Sequence, residues 1–157
     1  MRVLSTFAMI ALLAFAGATA RAQPLQRFET SPLAIDTAKG TQKFTVELAL
    51  TPGQHQQGLM FRRELAPDAG MLFIFPELEP AVFWMKNTLI PLDMLFIGAD
   101  GRVADLHERA VPQSEAHIVS KVPVKAVLEL NGGTVARLGI KPGDLVHHAI
   151  FGNAGAG

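Results

Sequence analysis

The chain has 157 residues, of which 49% are hydrophobic and 18% are charged, with 14 basic and 14 acidic side chains. This length corresponds to one domain that buries its core without disulfide bonds, and the sequence contains no cysteine. The neutral balance, without a basic run, argues against nucleic acid or an anionic membrane surface as a partner.

The first 22 residues have the pattern of a secretory signal peptide. Arg2 supplies a positive charge, residues 3–16 are uncharged and mostly apolar, and small residues lead to cleavage sites after Ala20 or Ala22. The apolar run is shorter than the roughly 20 residues that a spanning helix requires, although an uncleaved anchor or a buried helix is an alternative. We therefore predict a periplasmic or secreted protein whose mature chain has no transmembrane segment.

The mature chain divides into three parts. We predict a flexible N-terminus at residues 23–31, a single β-rich domain at residues 32–152, and a disordered, glycine-rich tail at residues 153–157. Within the domain, residues 42–50 alternate between apolar and polar side chains, which predicts a half-buried strand. Thr51-Pro52 then predicts a short helix over about residues 52–60, because Thr is a good N-cap and Pro suits the first helical position.

Short apolar runs bounded by turn signals continue the chain. They predict strands at residues 71–75, 81–85, 92–97, 102–108 and 125–130, a helical turn near 134–138, and a last strand at 144–151. Asp100-Gly101 predicts a hairpin with a two-residue loop, which places Leu95 opposite Leu106. Many short strands with one short helix predict a mainly β fold, either a compact β-barrel or a β-sandwich.

Several sequence blocks resemble the family of domain of unknown function 192. They read GLMFR at 58–62, GMLF at 70–73, WMKNTLIPLD at 84–93, LEL at 128–130 and GIKPGD at 139–144. The resemblance covers nearly all of the mature chain. It implies a compact β-rich fold, similar to a barrel or sandwich and often exported, and it implies no established activity.

A polar cluster interrupts the apolar centre of the chain. The two-residue hairpin loop would place Asp93 opposite Glu108, and two such carboxylates repel unless a cation such as Lys86 lies between them. The cluster predicts either a ligand-binding or acid/base site, or a structural ion cluster that braces the adjoining loop. A one-residue bulge would break the pair.

Four other residues complete the predicted binding site. Trp84 is either a stacking wall for a flat ligand or a core-filling residue, which is the commoner role of a lone Trp in an apolar strand. Asn87 lies in the polar insert, Arg62 ends the predicted helix and can reach a carboxylate, and Glu129 needs a partner within its apolar strand. The predicted ligand-binding residues are therefore Arg62, Trp84, Lys86, Asn87, Asp93, Glu108 and Glu129.

The sequence supports metal binding less strongly than it supports the ligand-binding site above. An exported protein could bind Cu(I) through the methionines at 60, 71, 85 and 94 together with His55, but Met also fills gaps in cores. The sequence has no zinc or iron spacing, no Gly-x-Ser-x-Gly elbow and no glycine-rich phosphate motif. We therefore expect neither a metal site nor a cofactor.

These patterns favour a non-catalytic module that binds an unknown small molecule or an envelope component. One alternative is a hydrolase-like enzyme that uses Asp93 and Glu108 as acid and base with Lys86 as stabiliser. The second alternative is a periplasmic copper-handling protein. If the polar cluster binds the ligand, Asp93→Asn should abolish binding with little change in melting temperature, whereas a loss of folding would identify a structural role.

Overall fold

The computed structural model describes residues 25–154. The predicted signal peptide at 1–22 and the last three residues of the predicted tail therefore lie outside the described part. Within it, the chain forms nine strands and two short α-helices, followed by a turn of 3-10 helix at Ala149–Phe151. The strands are β1 (Glu29–Thr37), β2 (Gly40–Ala49), β3 (Ala69–Glu79), β4 (Val82–Phe83), β5 (Leu92–Ile97), β6 (Val103–Ala110), β7 (Ile118–Val119), β8 (Val124–Asn131) and β9 (Leu145–His147), and the helices are α1 (Pro52–Gln57) and α2 (Thr134–Leu138).

Seven of the strands form one sheet in the order β6-β5-β8-β3-β2-β1-β9, and β4 pairs with β7 in a separate two-stranded sheet. Within residues 25–154, only β2 and β3 run parallel, joined through α1, while the other paired strands are antiparallel. The large sheet curls into a half-barrel, and a bridge between Arg102 and Leu145 brings its two ends together. The prediction of a mainly β, compact fold is confirmed.

The large sheet buries apolar side chains on both faces. Strand alternation sends Leu72, Leu95 and Leu128 to the first face, where α2 also packs. It sends Met71, Met94 and Val127 to the second face, which is covered by the segment after α1, by β4 and β7, and by their loops. A half-barrel buried on both faces explains why β5 and β8 are buried at almost every position.

Several predicted boundaries need correction. The predicted helix over 52–60 ends at Gln57, because Gly58 takes a positive φ of 47° that interrupts the helix. β1 starts at Glu29, so the end of the predicted flexible segment at 23–31 is a strand. Asn153, predicted to lie in the disordered tail, is held by hydrogen bonds to the backbone of Val146 and His148.

The hairpin between β5 and β6 is partly as predicted. Leu95 lies opposite Leu106, which confirms the register in the middle of the pair. The loop is longer than two residues, because the Gly98 N–H donates to the carbonyl oxygen of Arg102 at 2.9 Å. The register also shifts near Asp93, and this second shift changes the predicted site.

Candidate functional site

A cleft of about 310 Å³ opens on the second face of the sheet. Its walls come from α1 and the turn after it, from β3 and β4, and from the segment that follows β4. The residues that line it are His55, Gln56, Gln57, Gly58, Leu59, Met60, Phe73, Phe75, Val82, Phe83, Trp84, Thr88 and Glu129. The family blocks GLMFR and WMKNT therefore both contribute to this cleft.

Glu129 carries the acidic group in this lining. It lies in the middle of β8 between Met71 of β3 and Met94 of β5, and its residue is only 4% exposed. No hydrogen bond joins its carboxyl group to another described residue, and burial raises its pKa to about 8 from an ordinary value of 4.5. The carboxylic acid is therefore mostly protonated at neutral pH, while one side of it borders the cleft.

Aromatic side chains form the walls. The rings of Phe73 and Phe83 meet edge to face, with centroids 4.9 Å apart, and the His55 ring lies 5.3 Å from that of Phe75. His55 Nε2 lies 2.9 Å from the carbonyl oxygen of Ala49, to which it donates. This hydrogen bond and the ring contacts fix the orientation of the imidazole in the wall.

Trp84 lies at the rim of the cleft and is 41% exposed, so the core-filling interpretation is wrong. The short strand β4 ends at Phe83, and the rest of the described chain covers neither Trp84 nor Val82, two residues before it. Lys86 Nζ lies 5.1 Å from the centre of the Trp84 ring and 3.8 Å from a carboxylate oxygen of Glu115. The predicted contact of Lys86 with Asp93 is therefore not made.

Two loops at the rim are held in strained conformations. Phe61 has a positive φ angle of 65°, which costs of order 1–3 kcal/mol for a bulky residue, and Asn87 has a φ of 57°, which Asn adopts more readily than most residues. The Phe61 N–H donates to the Asn87 carbonyl oxygen at 2.9 Å, which ties the two loops together. Asn87, predicted as a ligand contact, instead joins the loops, while its neighbour Thr88 is buried and lines the cleft.

Asp93 lies on the opposite face of the sheet from Glu129, because it pairs with Leu130 whereas Glu129 pairs with Met94. Its carboxylate accepts hydrogen bonds from the backbone N–H groups of Arg109 at 2.8 Å, Gly133 at 2.9 and 3.0 Å, and Val135 at 2.8 Å. It therefore caps the start of α2, for which Gly133 has no side chain to offer. Asp93 is a structural brace.

The predicted pair of Asp93 with Glu108 is absent, because Glu108 and Arg109 together lie opposite the single residue Asp93 in a β-bulge. Glu108 is exposed. Arg62 does reach a carboxylate, but that carboxylate belongs to Glu47, with two hydrogen bonds of 2.7 and 3.0 Å. Of the seven predicted residues, only Trp84 and Glu129 line the cleft.

The methionines considered for copper have packing roles. Met71, Met85 and Met94 are fully buried in the apolar cluster of the second face, whereas Met60 lies at the edge of the cleft. Among residues 25–154, no three His, Cys, Asp or Glu side chains are grouped so that they could hold a metal ion. The copper hypothesis gains no geometric support from these positions.

Most of the cleft walls have no distinctive signal in the sequence. The sequence pattern predicts Phe73, Phe75 and Phe83 only as apolar strand residues and indicates His55 only as a possible copper ligand. One sequence signal did mark the site, since Glu129 interrupts an otherwise apolar run. The walls could not be found in this way, because they come from segments that are distant in sequence.

The fold and the cleft together define a small half-barrel domain whose aromatic-walled cleft has a buried acid at its floor. The chain belongs to the family of domain of unknown function 192, whose model, described as "Uncharacterized ACR", matches residues 34–148. No curated protein matches it significantly.

The solved structures that are similar to the chain include the following two. One is from Sinorhizobium meliloti 1021 and is described as a candidate transcription regulator. It is 53% identical, with a TM-score of 0.78, over 81% of this chain and 99% of the other. The second, a protein of unknown function from Novosphingobium aromaticivorans DSM 12444, is 42% identical with a TM-score of 0.77, over 84% of this chain and 94% of the other. In the described range 25–154, no helix is both long and apolar enough to cross a membrane.

Proposed function

We propose that this protein is a small-molecule-binding module whose site is the cleft above Glu129. The observation that carries the proposal is a buried carboxyl group, unpaired among the described residues, at the floor of a cleft walled by aromatic rings. Small-molecule sites are typically concave and mostly apolar, with a few convergent polar groups. The volume of about 310 Å³ lies at the small end of such sites and suits a ligand of a few to a dozen non-hydrogen atoms.

The free-energy cost of keeping an unpaired acid at this position supports the assignment of the cleft as a binding site. An unpaired acid in an apolar strand destabilises a fold in its ionised form, and a hydrophobic residue of similar size would fill the same space. Groups with strongly perturbed pKa values in clefts are candidates for function for this reason. The strained loops that shape the rim are a second destabilising feature at the same place.

Binding is favoured over the hydrolase-like alternative. The proposed acid and base, Asp93 and Glu108, do not meet, and Lys86 contacts neither of them in the described structure. The regulator description applies to the Sinorhizobium protein, and the neutral charge balance of this chain favours a small molecule over nucleic acid.

We also propose that the protein is exported and acts in the periplasm or outside the cell, on a free small molecule or on a part of an envelope component. The support is the signal-peptide pattern of residues 1–22, which lies outside the described residues. Sequencing the N-terminus of protein recovered from the periplasm would test it. We expect a chain that starts at Arg21 or Gln23, and a chain that still starts at Met1 would contradict cleavage.

The cleft itself provides a probe for binding. Trp84 is the only Trp of the chain, so its fluorescence reports directly on the rim. We expect a library of small metabolites to contain compounds that change the Trp84 emission saturably, and native mass spectrometry to show one molecule bound per chain. Phe83→Ala should weaken this binding by removing a wall.

Val111→Ala is the matched control, because Val111 is an exposed apolar residue that does not line the cleft. Equal weakening by both variants would contradict the assignment of the site. A library that leaves the emission and the mass unchanged would contradict the proposed function.

A further inference from the structure

We propose that the ligand is a small organic cation, a protonated amine whose ammonium group pairs with the carboxylate of Glu129 while its apolar part lies between the aromatic walls. This inference rests on the proposed function and adds the chemical class of the ligand. It follows from three properties of the described cleft: its charge, its aromatic content and its titratable groups.

The charge of the cleft is unbalanced. Its lining contains the acid Glu129 and no Lys or Arg among the described residues. Two cationic side chains from the segments that border the cleft have other partners, since Lys86 lies over Trp84 and near Glu115, and Arg62 is held by Glu47. An incoming cation would therefore be the first charge partner of Glu129, and an anionic ligand would face a carboxyl group that repels it when ionised.

The aromatic walls favour a cation as well. The faces of Trp and Phe rings attract ammonium groups, and the attraction strengthens when the cation is removed from water. Phe73, Phe75 and Phe83 border the space above Glu129, whereas the Trp84 ring at the rim already has the Lys86 ammonium over it. A neutral ligand would gain the apolar contacts of these rings but would gain neither the cation–π attraction nor the ion pair.

Binding of a cation should release a proton. The free acid holds its proton at neutral pH because burial raises its pKa to about 8, whereas the ion pair requires the carboxylate. The proton balance of binding is as follows: the ligand stays protonated as an ammonium ion, the O–H bond of the Glu129 carboxyl group breaks, and that proton is released to solvent. The dissociation constant should therefore fall about tenfold from about pH 6 to about pH 7 and level off above about pH 8.

One other titratable side chain faces the cleft. His55 comes from α1, while β3 and β5 place the uncharged Met71 and Met94 beside Glu129, and Thr88 and Phe83 complete the surroundings. His55 donates Nε2–H to Ala49 and shares the wall with the phenyl rings. His55→Gln replaces the imidazole by a side chain that does not ionise, so proton release that persists in this variant belongs to Glu129.

The test uses three probes with the same ring and different charges: 2-phenylethylammonium, 2-phenylethanol and phenylacetate. Each is titrated into the purified protein by calorimetry from about pH 6 to about pH 8, in two buffers with different ionisation enthalpies. We expect the ammonium probe to bind at least about tenfold more tightly than the alcohol near pH 8, with close to one proton released per ligand near pH 7. We expect phenylacetate to bind more weakly than the alcohol.

Two variants and the proton count make the result decisive. Glu129→Gln should lose the preference for the ammonium probe, the pH dependence and the proton release together, while Glu108→Gln, at an exposed carboxylate outside the cleft, keeps them. Circular dichroism checks the fold of each variant. The proton release of the unmodified protein needs no variant, so it tests the proposal even if Glu129→Gln does not fold.

Equal affinity for the ammonium and alcohol probes would overturn the cation proposal and leave the small-molecule-binding proposal standing. Tighter binding of phenylacetate, or ammonium binding without proton release, would also overturn it. If none of the three probes binds, the cation proposal fails, and the broader proposal fails with it only if the metabolite library is also silent.

Discussion

Replacing Glu129 by Gln should change the way in which the stability of this protein depends on pH. Burial raises the pKa of Glu129 to about 8 in the folded chain, against an ordinary value of 4.5 that we assign to the unfolded chain. Between these two values the folded state holds a proton that the unfolded state has released. The contribution of this group to stability is therefore fully present below pH 4.5, falls as the pH rises, and is lost above about pH 8.

The size of the effect follows from the shift. One pKa unit corresponds to about 1.4 kcal/mol, so the whole shift amounts to about 5 kcal/mol. About 4 kcal/mol of this falls between about pH 5 and about pH 9. Gln has nearly the same shape as Glu and does not titrate, so any constant effect of the substitution adds equally at every pH.

Urea unfolding, followed by circular dichroism at intervals between about pH 5 and about pH 9, measures this quantity. The free energy of unfolding of Glu129→Gln, minus that of the unmodified protein, should rise by about 4 kcal/mol across the range. The other titrating groups, including Asp36 and His147, are the same in both proteins and cancel in the difference. Glu108→Gln, at an exposed carboxylate, is the matched control and should give a nearly flat difference.

A difference that stays constant within about 1 kcal/mol would refute the reasoning. It would mean that the carboxyl group of Glu129 is hydrated or paired in the folded protein, so that its ionised form is not penalised. A difference of the opposite slope would refute it more strongly, because it would show that folding favours the carboxylate.

Three further outcomes follow from the structure. Asp93→Asn should lower the free energy of unfolding by about 2–4 kcal/mol, and the melting temperature by roughly 10 °C, because one of two accepting oxygens becomes an amide that faces backbone N–H groups. A melting temperature within a few degrees of the original would contradict the bracing role. Gly70→Ala should lower the free energy of unfolding by about 2–4 kcal/mol, because its Cβ would lie 2.7 Å from a backbone oxygen of β8. Gly53→Ala is the control: its Cβ would meet only a flexible side chain at 3.4 Å, so this variant should be neutral or slightly stabilising. The pKa of His147, measured by NMR, should lie above its usual 6.5 because Asp36 Oδ2 lies 2.6 Å from His147 Nε2. The contribution of His147 to stability is therefore present below pH 6.5 and is lost as the pH rises through the raised pKa. Asp36→Asn should lower the pKa of His147, and an unchanged value would contradict the contact.

Much of the local structure could be predicted because its causes lie within a few residues. The Thr51 side chain accepts a hydrogen bond from the Gln54 N–H, and the Gln54 side chain accepts one from the Thr51 N–H, so the helix starts where the Thr-Pro pair indicates. The alternation around Phe44 and Val46 produces β2 because one face of that strand is buried. Leu95 lies opposite Leu106 because apolar side chains of neighbouring strands must share a face.

The structure brings together only two of the seven predicted site residues, Trp84 and Glu129, for a physical reason. Asp93 and Glu129 are both acids within apolar strands, and nothing near them in sequence tells their roles apart. The carboxylate of Asp93 accepts hydrogen bonds from the N–H groups of Gly133 and Val135, which lie about forty residues further along the chain. The bulge in β6 leaves Glu108 exposed, and the Arg109 N–H donates to the same carboxylate. The pair predicted from the hairpin register therefore does not form.

The sequence by itself determined the mainly β fold, the positions of most strands, the start of α1 and the membership of the chain in its family. Only the tertiary structure decided which buried acid is a brace and which lies at the floor of a cleft. The reason is that strand alternation assigns each side chain to a face, whereas the partners on that face are supplied by distant segments. For Asp93 these are backbone donors, and for Glu129 they are methionines, aromatic rings and an opening to solvent.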